Sequence, residues 1–218
     1  MARQKRKIPY IEKCFRRYLE SEDSAEFIRS VSQQYTEPTL ARLAQSDRRG
    51  TRRAAVMALG FIGSFATNRT LGKALRDRDR AVRLLAENGI RSVWNRAAGE
   101  WANRRVEAIA WLNYSFQFDR ACLASTQLIQ DLPSFAEAWN QRALARYGMG
   151  HFRRSIKDCR QTLKLNRYHF LAASGMGNCY LQQQDAENAL ECFRKALKLN
   201  PGMEGVRAQI DQLQRTSG

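Results

Sequence analysis

Residues 136–169 read AEAWNQRALARYGMGHFRRSIKDCRQTLKLNRYH, and the next stretch, 170–203, reads FLAASGMGNCYLQQQDAENALECFRKALKLNPGM. Laid one over the other, LKLNR at 163–167 falls on LKLNP at 197–201. Carried back by the same 34 residues, the register reaches 102–135. Ala121 then lies over Ser155 and Ala189, and Pro133 over Arg167 and Pro201. A fixed period of this length marks a unit that cannot bury its apolar face alone and stacks on its own copies. After the last copy, residues 204–215, EGVRAQIDQLQR, carry Val206, Ile210 and Leu213 on one stripe and polar residues elsewhere. That pattern suits a helix closing the stack with its polar side to water.

The composition agrees with helices. Of 218 residues, 44% are hydrophobic and only four are proline, so a folded chain with few helix breakers is expected. Runs of valine, isoleucine and threonine that would indicate strands are missing. The fold class expected is all-α.

The 34-residue units resemble the tetratricopeptide repeat (TPR) family. Residues 170–203 supply its small residues at Gly177, Ala189 and Ala196, its large ones at Tyr180 and Phe193, and its proline at Pro201. Residues 136–169 supply Trp139, Ala143, Ser155, Cys159 and Thr162, but depart at Arg146 and Arg167. Residues 102–135 keep Ala121 and Pro133 but have Arg105 and Ile109 where a large apolar and a small residue belong. The physical reason for the pattern is close packing. Two antiparallel helices approach where small side chains face each other, and large ones fill the flanks. The proline ends the second helix.

An offset of 31 governs the first half. TLARLAQS at 39–46 falls on TLGKALRD at 70–77, and Leu40, Arg52, Ala55 and Leu59 fall on Leu71, Arg83, Ala86 and Ile90. Residues 77–93 resemble the second helix of short HEAT-like repeats through Asp77, Asp79, Val82, Arg83, Ala86 and Ile90. The resemblances imply an α–α superhelix, a right-handed helical-repeat solenoid. Its expected parts are atypical N-terminal helices at 1–38, HEAT-like repeats at 39–100, three TPR units at 102–203 and a capping helix at 204–215. Pro38 is placed for the first turn of a helix. With Gly99 the lone breaker at the junction, one continuous superhelix is expected.

The formal charge is +16, of which +10 falls within residues 1–101. A basic balance favours nucleic acid, anionic surfaces or acidic proteins. Residues 1–7 are basic, but no apolar run follows, so neither a signal peptide nor a membrane span is expected and a cytoplasmic location is. The five cysteines are scattered without zinc spacing, and four of them are expected on packed helix faces. No metal, cofactor or catalytic constellation is expected. His151 and His169, the two histidines, are placed in exposed connections, and Trp94, Trp101 and Trp111 in the core near the junction.

The expected function is a non-catalytic scaffold holding a protein partner. In the TPR family the inner wall comes from the first helix of each unit, which here implies Asn113, Tyr114, Asn140, Gln141, Tyr147, Ser174, Asn178 and Gln182. Amides there can serve both donors and acceptors of an extended peptide. The clamp with which one branch binds acidic chaperone tails is replaced by Val106, Ala110, Gln141, Leu171 and Gly175. The alternative is nucleic-acid or other polyanion binding by the basic half. Arg48, Arg49, Arg53 and Arg80 are its candidates, because positive charge at a helix start opposes the macrodipole. The HEAT-like resemblance also includes enzymes, bilin lyases and basic DNA glycosylases, and no acid–aromatic pair can be assigned to that chemistry here.

Overall fold

A computed structural model describes residues 8–216; the basic stretch at 1–7 lies outside them. The described residues form thirteen α-helices and one short 3-10 turn, with no strand, as the composition predicts. No helix is long and apolar enough to cross a membrane. The chain divides into two compact units, Met1–Val93 and Trp94–Gly218. The division falls inside a helix, ahead of the Gly99 breaker.

In the first unit, α1 (Tyr10–Ser21) and α2 (Ser24–Ser32) pack against each other and on α4 (Arg49–Ile62). Asp23 opens α2 by accepting the Glu26 N–H at 2.9 Å. Thr36 does the same for α3 (Glu37–Leu43), whose first turn carries Pro38 as the sequence predicts. α5 (Asn68–Ala74) and α6 (Arg80–Asn95) complete this half. α4 and α6 cross on two glycines. A Cβ built on Gly60 would lie 2.8 Å from the Gly89 Cα, closer than any side chain permits.

The second unit repeats with the period of the sequence. Its helices are α7 (Glu100–Tyr114), α8 (Phe118–Asp131), α9 (Ala136–Gly148), α10 (Phe152–Leu165), α11 (Phe170–Gln182), α12 (Ala186–Leu199) and α13 (Glu204–Thr216). The turn inside each pair uses a left-handed residue at the same place: Phe116, Gly150 and Gln184, 34 residues apart. Each pair packs antiparallel, and α9 touches α7 and α11, so the first helices form one layer. The close approaches are those the pattern demands. A Cβ on Gly177 would lie 2.5 Å from the Phe193 ring. Ser155 faces Ala143 closely enough for its hydroxyl to donate to the Ala143 carbonyl at 2.7 Å. Arg146, standing where an aromatic belongs, instead joins Arg142 on Asp158, at 2.6 and 3.0 Å. α13 covers the last pair with Val206 and Ile210.

All five cysteines are free, and four are buried. Burial pushes the Cys159 and Cys179 thiols up, and that of Cys192 to about 11. They act as small apolar residues, not nucleophiles. Two tryptophans depart from expectation. Trp94 is buried, but Trp101 and Trp111 are 51% and 61% exposed. Their helix α7 buries Ala102, Val106 and Ile109 instead, and both indoles fall off that stripe.

Candidate partner-binding surfaces

The inner layer of the second unit brings the predicted groove residues together, but not on one open wall. Glu137, in the first turn of α9, is buried, and three donors converge on its carboxylate. Asn140 Nδ2 and Gln141 Nε2 both donate to Oε1 at 2.9 Å, and His169 Nε2 lies 3.0 Å from Oε2. Asn113 Nδ2 extends the chain by donating to the Gln141 carbonyl and side chain, each at 3.0 Å. Burial pulls the Glu137 carboxyl upward. The hydrogen bond from His169, with those from the two amides, pulls it further down, so it is held below its usual range.

His169 corrects the sequence reading most sharply. Expected in an exposed connection, it is 0% exposed. It caps the start of α11, where Nδ1 accepts the Ala172 N–H at 3.1 Å. That bond leaves the proton on Nε2, aimed at Glu137. Trp94 stacks on the imidazole with centroids 4.3 Å apart and planes 19° apart. His151, by contrast, is exposed as expected.

Asn140 and Gln141, expected as groove amides, are therefore buried and spent on Glu137. Asn178 accepts from Gln209 of α13 at 3.2 Å, and Tyr147 packs edge-on to Phe152. Of the predicted wall, Tyr114 is 83% exposed, Gln182 is exposed and Ser174 is half-buried. Leu144 adds an exposed apolar side chain.

In the first unit the arginines sort into paired and unpaired. Arg52 forks onto Asp77 at 2.8 and 3.0 Å and reaches the Ser46 and Asp47 carbonyls. Arg53 forks onto Asp79 at 2.9 and 2.7 Å. Arg53 holds the Asp79 carboxyl down, at about 2. Burial is the largest single influence on the Asp77 carboxyl and raises it, but the Arg52 hydrogen bond, the Asp79 N–H and the Arg52 charge together hold it below the usual carboxylate range.

Arg48 corrects the expectation that it lacks a stabilising role. α6 begins with Asp79, which accepts the Val82 N–H at 3.1 Å. The residue 31 positions earlier is Arg48, which begins α4 and makes no such cap. Glu12 of α1 brings the missing carboxylate. It accepts from Arg48 Nε at 2.9 Å and from the Thr51 hydroxyl at 2.6 Å, and a Cβ on Gly50 would touch it at 3.0 Å. The charge at this helix start is thus compensated from another helix. The Arg48 hydrogen bond holds Glu12 below the usual carboxylate range. Arg49 and Arg80 are exposed and form no ion pair among the described residues. Arg16, Arg48, Arg49 and Arg53, with Phe15 and Leu19, line a cleft of about 410 Å³.

The tetratricopeptide repeat family model matches residues 171–203, so that stretch carries a TPR unit. A TPR repeat-containing protein of Rhizobium etli is 27% identical over 144 residues, covering 65% of this chain and 68% of that protein. Mouse sperm-associated antigen 1 is 24% identical over 102 residues, 47% of this chain but 11% of that protein. Among solved structures, the first TPR domain of Spaghetti (RPAP3) bound to an HSP90 peptide overlays with a TM-score of 0.49 at 20% identity. The overlay covers 51% of this chain and 89% of that one.

Proposed function

We propose that the chain is a non-catalytic adaptor whose second unit, read as three TPR units, holds an extended segment of a partner protein along its first-helix layer. The observation that carries this is Tyr114, 83% exposed at the end of α7 in a helical-repeat unit that has no structural use for it. A tyrosine offers rigid area and a polar tip at low entropy cost. Leu144, Ser174 and Gln182 continue the accessible surface, while the Glu137 cluster stiffens the layer between them. The test is affinity capture with wild-type and Tyr114→Ala protein, followed by mass spectrometry. A genuine partner is depleted about tenfold or more by the variant, a hot-spot loss of about 1.4 kcal/mol. Equal recovery by both proteins sinks this reading.

A second reading rests on Arg49 and Arg80, exposed and without ion pairs in a HEAT-like first unit: contact with a polyanion. Changing both to glutamate is expected to abolish retention on heparin, and wild-type retention is expected to fall steeply between 50 and 200 mM salt. Retention unchanged by the double variant excludes it.

A further inference from the structure

α4 and α6 carry the same stripe, 31 residues apart, in two different states. In α4 the stripe is Arg49, Arg52, Arg53, Val56 and Gly60; in α6 it is Arg80, Arg83, Leu84, Glu87 and Arg91. The anchoring is identical. Arg52 Nη1 donates to the carbonyls of Ser46 and Asp47 at 2.9 and 3.0 Å. Arg83 Nη1 donates to those of Asp77 and Arg78, the equivalent residues, at 2.9 and 3.3 Å. The two guanidiniums are therefore presented alike at the start of their helices.

What differs is the cover. The Nε/Nη2 edge of Arg52 is filled by Asp77, two residues ahead of Asp79 on the next repeat, and Val56 and Gly60 are buried under that repeat. The corresponding edge of Arg83 meets no carboxylate among the described residues. The positions that a further 31-residue step would supply are Ala108 and Ala110, which carry none. Leu84 is 52% exposed, and Arg80 and Arg91 are exposed beside it. With one glutamate against three arginines, the stripe is basic around a single apolar side chain. An uncovered guanidinium edge prefers a two-oxygen acceptor in its plane.

We propose that this outward stripe of α6 docks an acidic segment of a partner protein, which sets a carboxylate on Arg83 and, two residues later, an apolar side chain on Leu84. The spacing is that of Asp77 and Asp79 on Arg52 and Arg53, with the second seat changed from ionic to apolar because Leu84 stands where Arg53 does. Nothing in this requires the second unit, so it stands or falls apart from the groove reading.

Three fluorescein-labelled peptides test it, identical helices preceded by Asp-Ala-Leu, Asn-Ala-Leu or Asp-Ala-Ser, titrated onto the full chain by anisotropy. The first is expected to bind about tenfold or more tighter than either of the others. Arg83→Gln should erase the preference for Asp over Asn. Leu84→Ser, an exposed change that leaves folding intact, should erase the preference for Leu over Ser, and Tyr114→Ala should change neither. Equal affinity for the three peptides overturns the proposal, as does a preference that survives Arg83→Gln. Binding of a single-stranded oligonucleotide that depends on Arg83, with no peptide binding, also overturns it and assigns the stripe to nucleic acid.

Discussion

Gly89→Ala is expected to destabilise the first unit by about 3 kcal/mol, an overpacking cost at the upper end of its usual range. Alanine in a helix is normally the better residue, by about 1 kcal/mol over glycine. Here the gain is overridden. The added Cβ would stand 2.8 Å from the Gly60 Cα, which is backbone and cannot swing aside. α4 and α6 must separate, and separation loosens what the crossing aligns: Arg52 on Asp77 and Arg53 on Asp79. Gly60→Ala should cost about as much, and the double variant less than the sum, because one displacement relieves both clashes. Gly205→Ala is the control. It lies in α13 with nothing near its Cβ, and should gain a few tenths to about 1 kcal/mol. Urea denaturation of the four variants decides the matter. A Gly89→Ala protein as stable as the wild type would mean that the helices do not cross at these glycines.

Legibility followed the reach of each signal. Features fixed within one helix pair were readable: Gly177 against Phe193, the small Ser155 beside Ala143, Pro38 in a first turn, the cap of Val206 and Ile210. Each is a requirement of size or backbone geometry at a fixed spacing, and both are written in the residue itself. The burial of polar groups was not readable, because it depends on which side chain turns inward to meet them, whether one turn away or far along the chain. Asn140 and Gln141 have the composition of a peptide-binding wall. Only the carboxylate of Glu137, one turn earlier, turns their amides inward. Glu12 lies 36 residues from Arg48, in a helix outside the 31-residue register, so the compensation at the start of α4 leaves no periodic trace. His169 could have been suspected from its position. It follows the end of α10 and precedes α11, where a side-chain acceptor caps a helix, and imidazole Nδ1 serves as one. A place near the junction suggests the core for Trp101 and Trp111, whereas helical period puts them off the buried stripe of α7.

The converse case, a polar group that the core depends on, gives the second large effect. Glu137→Ala is expected to cost about 4 kcal/mol. Three buried donors lose their acceptor at once, and each unsatisfied donor costs about 1–3 kcal/mol less whatever relaxation recovers. Glu137→Gln separates chemistry from packing. It keeps the volume and one acceptor oxygen, but its NH2 faces donors, so about 2 kcal/mol should still be lost. A merely space-filling Glu137 would make this variant neutral. The pH dependence gives an independent reading. The carboxyl is held below its ordinary value of 4.5 in the folded state. An acid with a depressed folded pKa stabilises fully above its unfolded pKa, and that contribution disappears as pH falls through the folded value. Wild-type stability should therefore drop below about pH 4.5 more steeply than that of Glu137→Gln, and the two curves should converge in acid. His169→Phe tests the other end of the bond. The ring can still stack on Trp94, but Glu137 loses its Nε2 donor and the Ala172 N–H loses its cap, for an expected loss of about 2–3 kcal/mol. Because the stack is retained, a loss of that size would assign the work of the imidazole to its two nitrogens, and an unchanged midpoint would assign it to the stack.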